Sequence, residues 1–127
     1  MIEQSSGNVS EFEELSDNAV VYRALRKGWI DRDRSIVKSD AYYLRQRINE
    51  QGISVNFSIE QSLKALKNCE GVASLNVGKI RELGLNVVRD SLSHGSIIGL
   101  PYREDNRSTA DELALLLSRQ SRIVWES

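Results

Sequence analysis

Gly52-Ile53-Ser54-Val55-Asn56-Phe57-Ser58-Ile59-Glu60-Gln61-Ser62-Leu63 decides the fold class, because the hydrophobic period changes inside it. Up to Phe57 the period is two. Ile53, Val55 and Phe57 share one face, which predicts a strand. From Ser58 the period becomes helical. Ser58 and Gln61 have capping-box spacing, and Ile59, Leu63 and Leu66 follow at helical intervals. This helix is expected to run to about Cys69, with Gly71 able to end it. A strand passing directly into a helix puts both kinds of element in one unit.

Towards the C-terminus the same two periods alternate. Val72-Ala73-Ser74-Leu75 reads as a strand. Asn76 can cap a short helix, Val77 to Leu83, closed by Gly84. Leu85-Asn86-Val87-Val88 and Ile97-Ile98-Gly99-Leu100 read as further strands, the second stopped by Pro101. Thr109-Ala110-Asp111-Glu112 has the form of a capping box, and Leu113, Leu116 and Leu117 with Ala110 and Ala114 make the apolar face of a helix. Arg122-Ile123-Val124-Trp125 suits a last strand. Towards the N-terminus, Ala19 to Leu25 is expected to be a strand ended by Gly28, and Ala41-Tyr42-Tyr43-Leu44-Arg45 another.

The fold class that follows is α+β, a small mixed sheet of short strands with about three helices packed mainly on one face. Leu75, the short helix and Val87 can also be joined as a βαβ unit, which leaves a partly parallel sheet open. Residues 1–17 hold five acidic residues and no cation, and their polar, aperiodic sequence predicts a flexible lead-in with at most a turn near Phe12 and Leu15. Residues 18–127 are expected to form a single α+β domain.

With 127 residues and 40% hydrophobic content, the chain can build a core without staples. Cys69 is the only cysteine, so no disulfide forms within the chain, and a cytoplasmic location is expected. No stretch approaches the roughly 20 apolar residues of a membrane span, and the N-terminus lacks the pattern of a signal peptide. A net charge of −1 argues against general nucleic-acid binding. The charge is uneven, however: Arg23, Arg26, Lys27, Arg32, Arg34 and Lys38 outweigh Asp31 and Asp33 over residues 22–38.

The common chemical signatures are missing: GxxxxGK[ST], GxGxxG, GxSxG and HExxH do not occur. One histidine and one cysteine cannot make a zinc site of structural type, so no metal and no cofactor are expected. His94 is the first candidate for chemistry. It sits beside Gly95 at the approach to an apolar strand, and histidine is the usual general acid or base near neutrality. An ordinary loop histidine is the competing reading. Arg23 on a first strand, Ser54 on a middle strand and a late carboxylate, Glu104 or Glu112, form the kind of set small NAD-consuming transferases use. There the arginine holds phosphate and the serine orients ribose. Arg26, Lys27 and Trp29 could instead stack and neutralise single-stranded nucleic acid. Arg103 joins them as a candidate binding residue in the polar turn after Pro101.

The runs Val21 to Asp31, Gly52 to Asn56, Gly71 to Leu75 and His94 to Pro101 resemble a group of small bacterial proteins commonest in cyanobacterial-type genomes. The resemblance implies a domain that stands alone with a variable acidic N-terminus, and it implies no activity. On the residues themselves, the first expectation is a small intracellular interaction or regulatory domain, accessory or immunity-like, working through a protein partner. A homodimer is compatible with it. The alternative is a small transferase or hydrolase acting on a nucleotide-type substrate, similar to ADP-ribosyltransferases, with Arg23, Ser54 and His94 at one pocket. The third is nucleic-acid binding through residues 22–38.

Overall fold

The computed structural model describes residues 14–127. In chain order the strands are β1 (Val20–Leu25), β2 (Ile30–Asp31), β3 (Ile36–Val37), β4 (Ile53–Val55), β5 (Gly71–Asn76), β6 (Asn86–Arg89), β7 (Gly95–Ile98) and β8 (Arg122–Glu126). The helices are α1 (Ile59–Ala65), α2 (Val77–Glu82) and α3 (Arg107–Gln120), with 3-10 turns at Ser39–Tyr42 and Gln46–Ile48. The class is α+β, and every ladder among the described residues is antiparallel.

Two three-stranded sheets, ordered β1-β5-β8 and β4-β7-β6, carry the architecture, and β2 and β3 form a separate hairpin. The two sheets meet at one residue pair. Tyr22 and Asn56 each donate a backbone N–H to the other's carbonyl, at 2.9 and 2.8 Å. The order across the seam is therefore β6-β7-β4-β1-β5-β8. The βαβ unit that the sequence left open does not form. β5 pairs with β1 and β8, while β6 pairs with β7, so the strands flanking α2 lie in different sheets.

The strand-to-helix switch at residues 52–63 is where it was expected. Ile53 and Val55 are buried and Ser54 between them is exposed. Ser58 Oγ accepts from Gln61 N–H at 3.0 Å, and Gln61 Oε1 accepts from Phe57 N–H at 2.8 Å, so cap and glutamine secure each other's turn. The helix ends earlier than Cys69. Leu66 is already extended, and Asn68 takes a left-handed φ of 60°, so no helical bond can continue.

Two elements differ more. Ala41 to Arg45 is not a strand; its first half lies in the Ser39–Tyr42 turn. Ala41 and Tyr42 are both fully buried, and consecutive buried side chains do not fit a pleated strand with one wet face. The turn instead packs beneath α3, where the Tyr42 hydroxyl bonds the Ser121 hydroxyl. The cap of α3 is Asn106 rather than Thr109: its Oδ1 accepts from Thr109 N–H at 3.3 Å. Asn is as good a cap as Thr or better, and it comes three residues sooner.

Leu25, Tyr42, Ile53, Leu75, Ile80, Ile97 and Leu117 are fully buried and belong to one core cluster. Each such side chain contributes about 1.5–3 kcal/mol relative to exposure. Residues 1–13 of the acidic lead-in, and with them Phe12 of the expected turn, lie outside the described residues. Leu15 packs against the core. The Asp17 carbonyl accepts from Gly78 N–H at 2.9 Å, and its carboxylate meets Arg81 at 2.6 Å. No helix among the described residues is long and apolar enough to cross a membrane.

Candidate functional site

Where β1 and β4 part after the Tyr22–Asn56 pair, a cavity of about 230 Å³ opens. Arg23 and Ala24 of β1 line it, with Arg26 and Trp29 just beyond. Ser54 and Asn56 come from β4 and its extension, Ala65 and Leu66 from the end of α1, and His94 from the approach to β7. Arg45 and Glu50 flank the Gln46–Ile48 turn and complete the wall.

The sequence candidates thus divide. Arg23, Ser54 and His94 share one cavity with Arg26 and Trp29. Lys27 lies elsewhere, in a depression with Asp31 and Glu70. Arg103 and Glu104 line a neighbouring cavity that shares Trp29 and Arg45 with the first. Glu112 is exposed on α3. Neither late carboxylate therefore lines the cavity that holds Arg23 and Ser54; the carboxylate there is Glu50.

Arg23 follows the strand alternation onto the same face as Val21 and Leu25, both fully buried. Its guanidinium reaches the seam. Nε donates to the Ala41 carbonyl at 3.0 Å and Nη1 to the Ser54 carbonyl at 2.8 Å. Trp29 and Tyr42 lie 5.0 and 5.9 Å from it, ring centroid to guanidinium carbon. Among the described residues, Nη2 bonds no protein atom. Burial pushes the Arg23 pKa down to about 10, with Tyr42 and Glu50 opposing the fall. Desolvating an ion costs several kcal/mol. Hydrogen bonds from a charged group return about 1.5–3 kcal/mol each, and a desolvated cation–π contact about 2. The terms nearly cancel, and Arg23 stays charged at neutral pH.

His94 is placed by the β6–β7 hairpin. Its carbonyl accepts from Asp90 and Ser91 N–H at 3.0 and 3.2 Å, and its own N–H donates to Ser91 Oγ at 3.0 Å. Nδ1 sits 2.8 and 2.9 Å from the two Asp90 carboxylate oxygens. A carboxylate only accepts, so in the neutral ring Nδ1 carries the proton and Nε2 the lone pair. Ser54 pairs with Ser96 and Val55 with Gly95; carried one residue further, the alternation puts Asn56 and His94 on the face of Ser54. Asn56 is buried and tethers the hairpin, donating through Nδ2 to the Ser93 carbonyl at 2.7 Å. Its Oδ1 accepts from the buried Ser62 hydroxyl of α1 at 3.3 Å.

Arg45 and Glu50 form the third group. Glu50 Oε1 accepts from Arg45 backbone N–H at 2.8 Å, and Oε2 from Nη2 at 2.9 Å. Burial works to raise the Glu50 pKa, but the bonds and charge of Arg45, helped by Arg23, outweigh it and hold the carboxyl below its usual range. Arg45, Glu50 and Asn56 are not among the candidates legible in the sequence. No motif marks them; only the approach of Glu50 to Arg45 five residues away offers a local signal.

Three guanidinium groups face one carboxylate in the cavity. Arginine forks suit phosphate and carboxylate oxygens, Trp29 offers a flat face, and Nε2 of His94 can accept or return a proton. Comparison with family models, with curated proteins and with solved structures finds no match for the chain.

Proposed function

We propose that the cavity is the site of a small transferase or hydrolase acting on a phosphate-bearing, nucleotide-type substrate. The observation that carries this is the meeting of Arg23, Ser54 and His94 with Arg26, Arg45 and Trp29 around one opening. Arg26 holds the phosphate oxygens, joined by Nη1 of Arg45, whose Nε and Nη2 stay with Glu50. Arg23 contributes a half-buried positive charge, and through Nη2 one further donor. Ser54 orients a sugar hydroxyl from the exposed face of β4. His94, oriented by Asp90, acts as general base or acid at the transferred bond. The cavity is smaller than the roughly 300–1,000 Å³ of sites that enclose whole ligands, so it takes the phosphate–sugar part of the substrate. The lone, buried Cys69 suits a reducing compartment, and we place this activity in the cytoplasm.

Calorimetric titration of the full chain with adenosine diphosphate and with NAD tests the reading. Binding with Kd at or below about 1 mM, the upper range of ordinary enzyme affinities, is expected for at least one. Folded protein giving no heat with either would overturn it.

A second reading, an accessory or immunity-like domain acting through protein–protein contact, is favoured by apolar side chains left in solvent. Leu92, at the tip of the β6–β7 hairpin, is 74% exposed, and Leu115, Leu116 and Val124 are also exposed. Substitution of Leu92 by Ser would then abolish recovery of a stoichiometric partner from the native host without weakening nucleotide binding.

A further inference from the structure

A second cavity, of about 610 Å³, lies against the same two residues, Trp29 and Arg45, that close the first. We propose that it is a second ligand site, taking a nucleotide end beside the ligand of the first cavity. Only its place beside a first ligand rests on the function proposed above.

Charge selects an anion. Arg45, Arg47 and Arg103 line it with Asp40 and Glu104, and Glu50 and Asp111 pair with Arg45 and Arg103, so the charge that draws an anion is that of Arg47. The arginines are not equivalent. Arg45 is engaged by Glu50. Arg103 Nε donates to Asp111 Oδ1 at 2.8 Å and its guanidinium lies 5.5 Å from the Tyr43 ring. Arg47 has no hydrogen-bond or ion-pair partner among the described residues, so its charge is uncommitted.

The rings select among anions. Tyr43 and Trp29 both line the cavity. The Tyr43 hydroxyl donates to Asp111 Oδ1 at 2.7 Å, the oxygen that also holds Arg103. One carboxylate thus fixes a ring and a guanidinium together before any ligand arrives, which spares the ordering cost of binding. A phosphate on Arg47 and Arg103 with a base against Tyr43 or Trp29 uses both kinds of group, since base–aromatic stacking contributes about 1–3 kcal/mol. An acidic peptide satisfies the arginines and leaves the rings unused. The nucleotide is either free or the end of a single strand, and the two share this chemistry.

Amide and indole chemical-shift titration of the full chain separates the outcomes. The probes are adenosine 5′-monophosphate, a 5′-phosphorylated RNA trinucleotide and a hexaglutamate peptide. Shifts are expected at the Trp29 indole and at Tyr43, Gln46 and Arg103 with a nucleotide probe. R47E should weaken that set about tenfold and leave the His94 and Ser54 responses within about twofold. Tighter binding of the trinucleotide marks a strand end, and equal binding marks a free nucleotide. Response at Tyr43 and Arg103 without His94 and Ser54 would overturn the first-cavity reading and keep this one. The proposal fails if neither nucleotide shifts the Tyr43 set, if R47E leaves it unchanged, or if hexaglutamate binds there as tightly. Should R47E not fold, R47A carries the same comparison with a smaller change.

Discussion

Arg23 carries its charge on the core-facing side of β1, and both groups it bonds are backbone carbonyls of other segments. Ser54 O lies where the ladder between β1 and β4 has stopped, so the guanidinium replaces a ladder donor that the diverging strands do not supply, and Ala41 O ties the Ser39–Tyr42 turn to the same group. R23M keeps much of the volume and removes both bonds. It should cost about 1–2 kcal/mol, because the part-buried Ala41 carbonyl loses its donor while the exposed Ser54 carbonyl can turn to water, and denaturant unfolding would show it as a lower midpoint. A loss below about 0.5 kcal/mol would contradict this role. Glu50 behaves differently. Its carboxyl is held below the unfolded value, so the folded state binds fewer protons than the unfolded one. Its stabilising effect is present above the unfolded value near 4.3 and is lost as pH falls through the lower folded value. E50Q should therefore lose about 1 kcal/mol at neutral pH and lose less than the parent on acidification to pH 3. Parallel pH–stability curves would refute the assignment.

Among the elements, the β6–β7 hairpin decides where His94 stands. Gly95 opens β7 because there is no room for a side chain. A Cβ there would lie 2.7 Å from the Val88 carbonyl and 3.0 Å from Phe57 Cζ. G95A must push β6 from β7 or displace Phe57, which also holds the Arg89 guanidinium at 4.2 Å. A loss of about 2 kcal/mol is expected, and thermal unfolding would detect it; unchanged stability would mean the hairpin yields. The elements legible in the sequence are those whose local pattern and tertiary burial agree. Residues 52–63 combine a clean alternation with a cap that closes on itself, and Asn76 caps α2 as its spacing implies, accepting from Lys79 N–H at 2.9 Å. Ala41-Tyr42-Tyr43 departs from its strand-like pattern because aromatic residues favour strands only where a half-buried pleated surface exists. Here α3 buries two neighbours in succession. The strands β2 and β3 have two residues each, too few for any period to register.

For the whole molecule, the site is a consequence of how the two sheets join. A full ladder between β1 and β4 would leave no opening. With a single bridging pair, the strands part and admit side chains from distant loops. Arg23, Ser54 and His94 were legible as candidates because residue type and strand position single them out. Arg45, Glu50 and Asn56 were not, since their place in the wall depends on contacts with β1 and with the β6–β7 hairpin that no local spacing encodes. Tryptophan fluorescence is the most direct test of the cavity as a ligand site. In a W125F background Trp29 is the only indole. Titration with adenosine diphosphate and with NAD should change its emission saturably for at least one of them. R26A should raise the apparent Kd about tenfold, while R122A, an exposed arginine on β8, leaves it unchanged. Emission indifferent to both nucleotides, or equal weakening by R26A and R122A, would contradict the account.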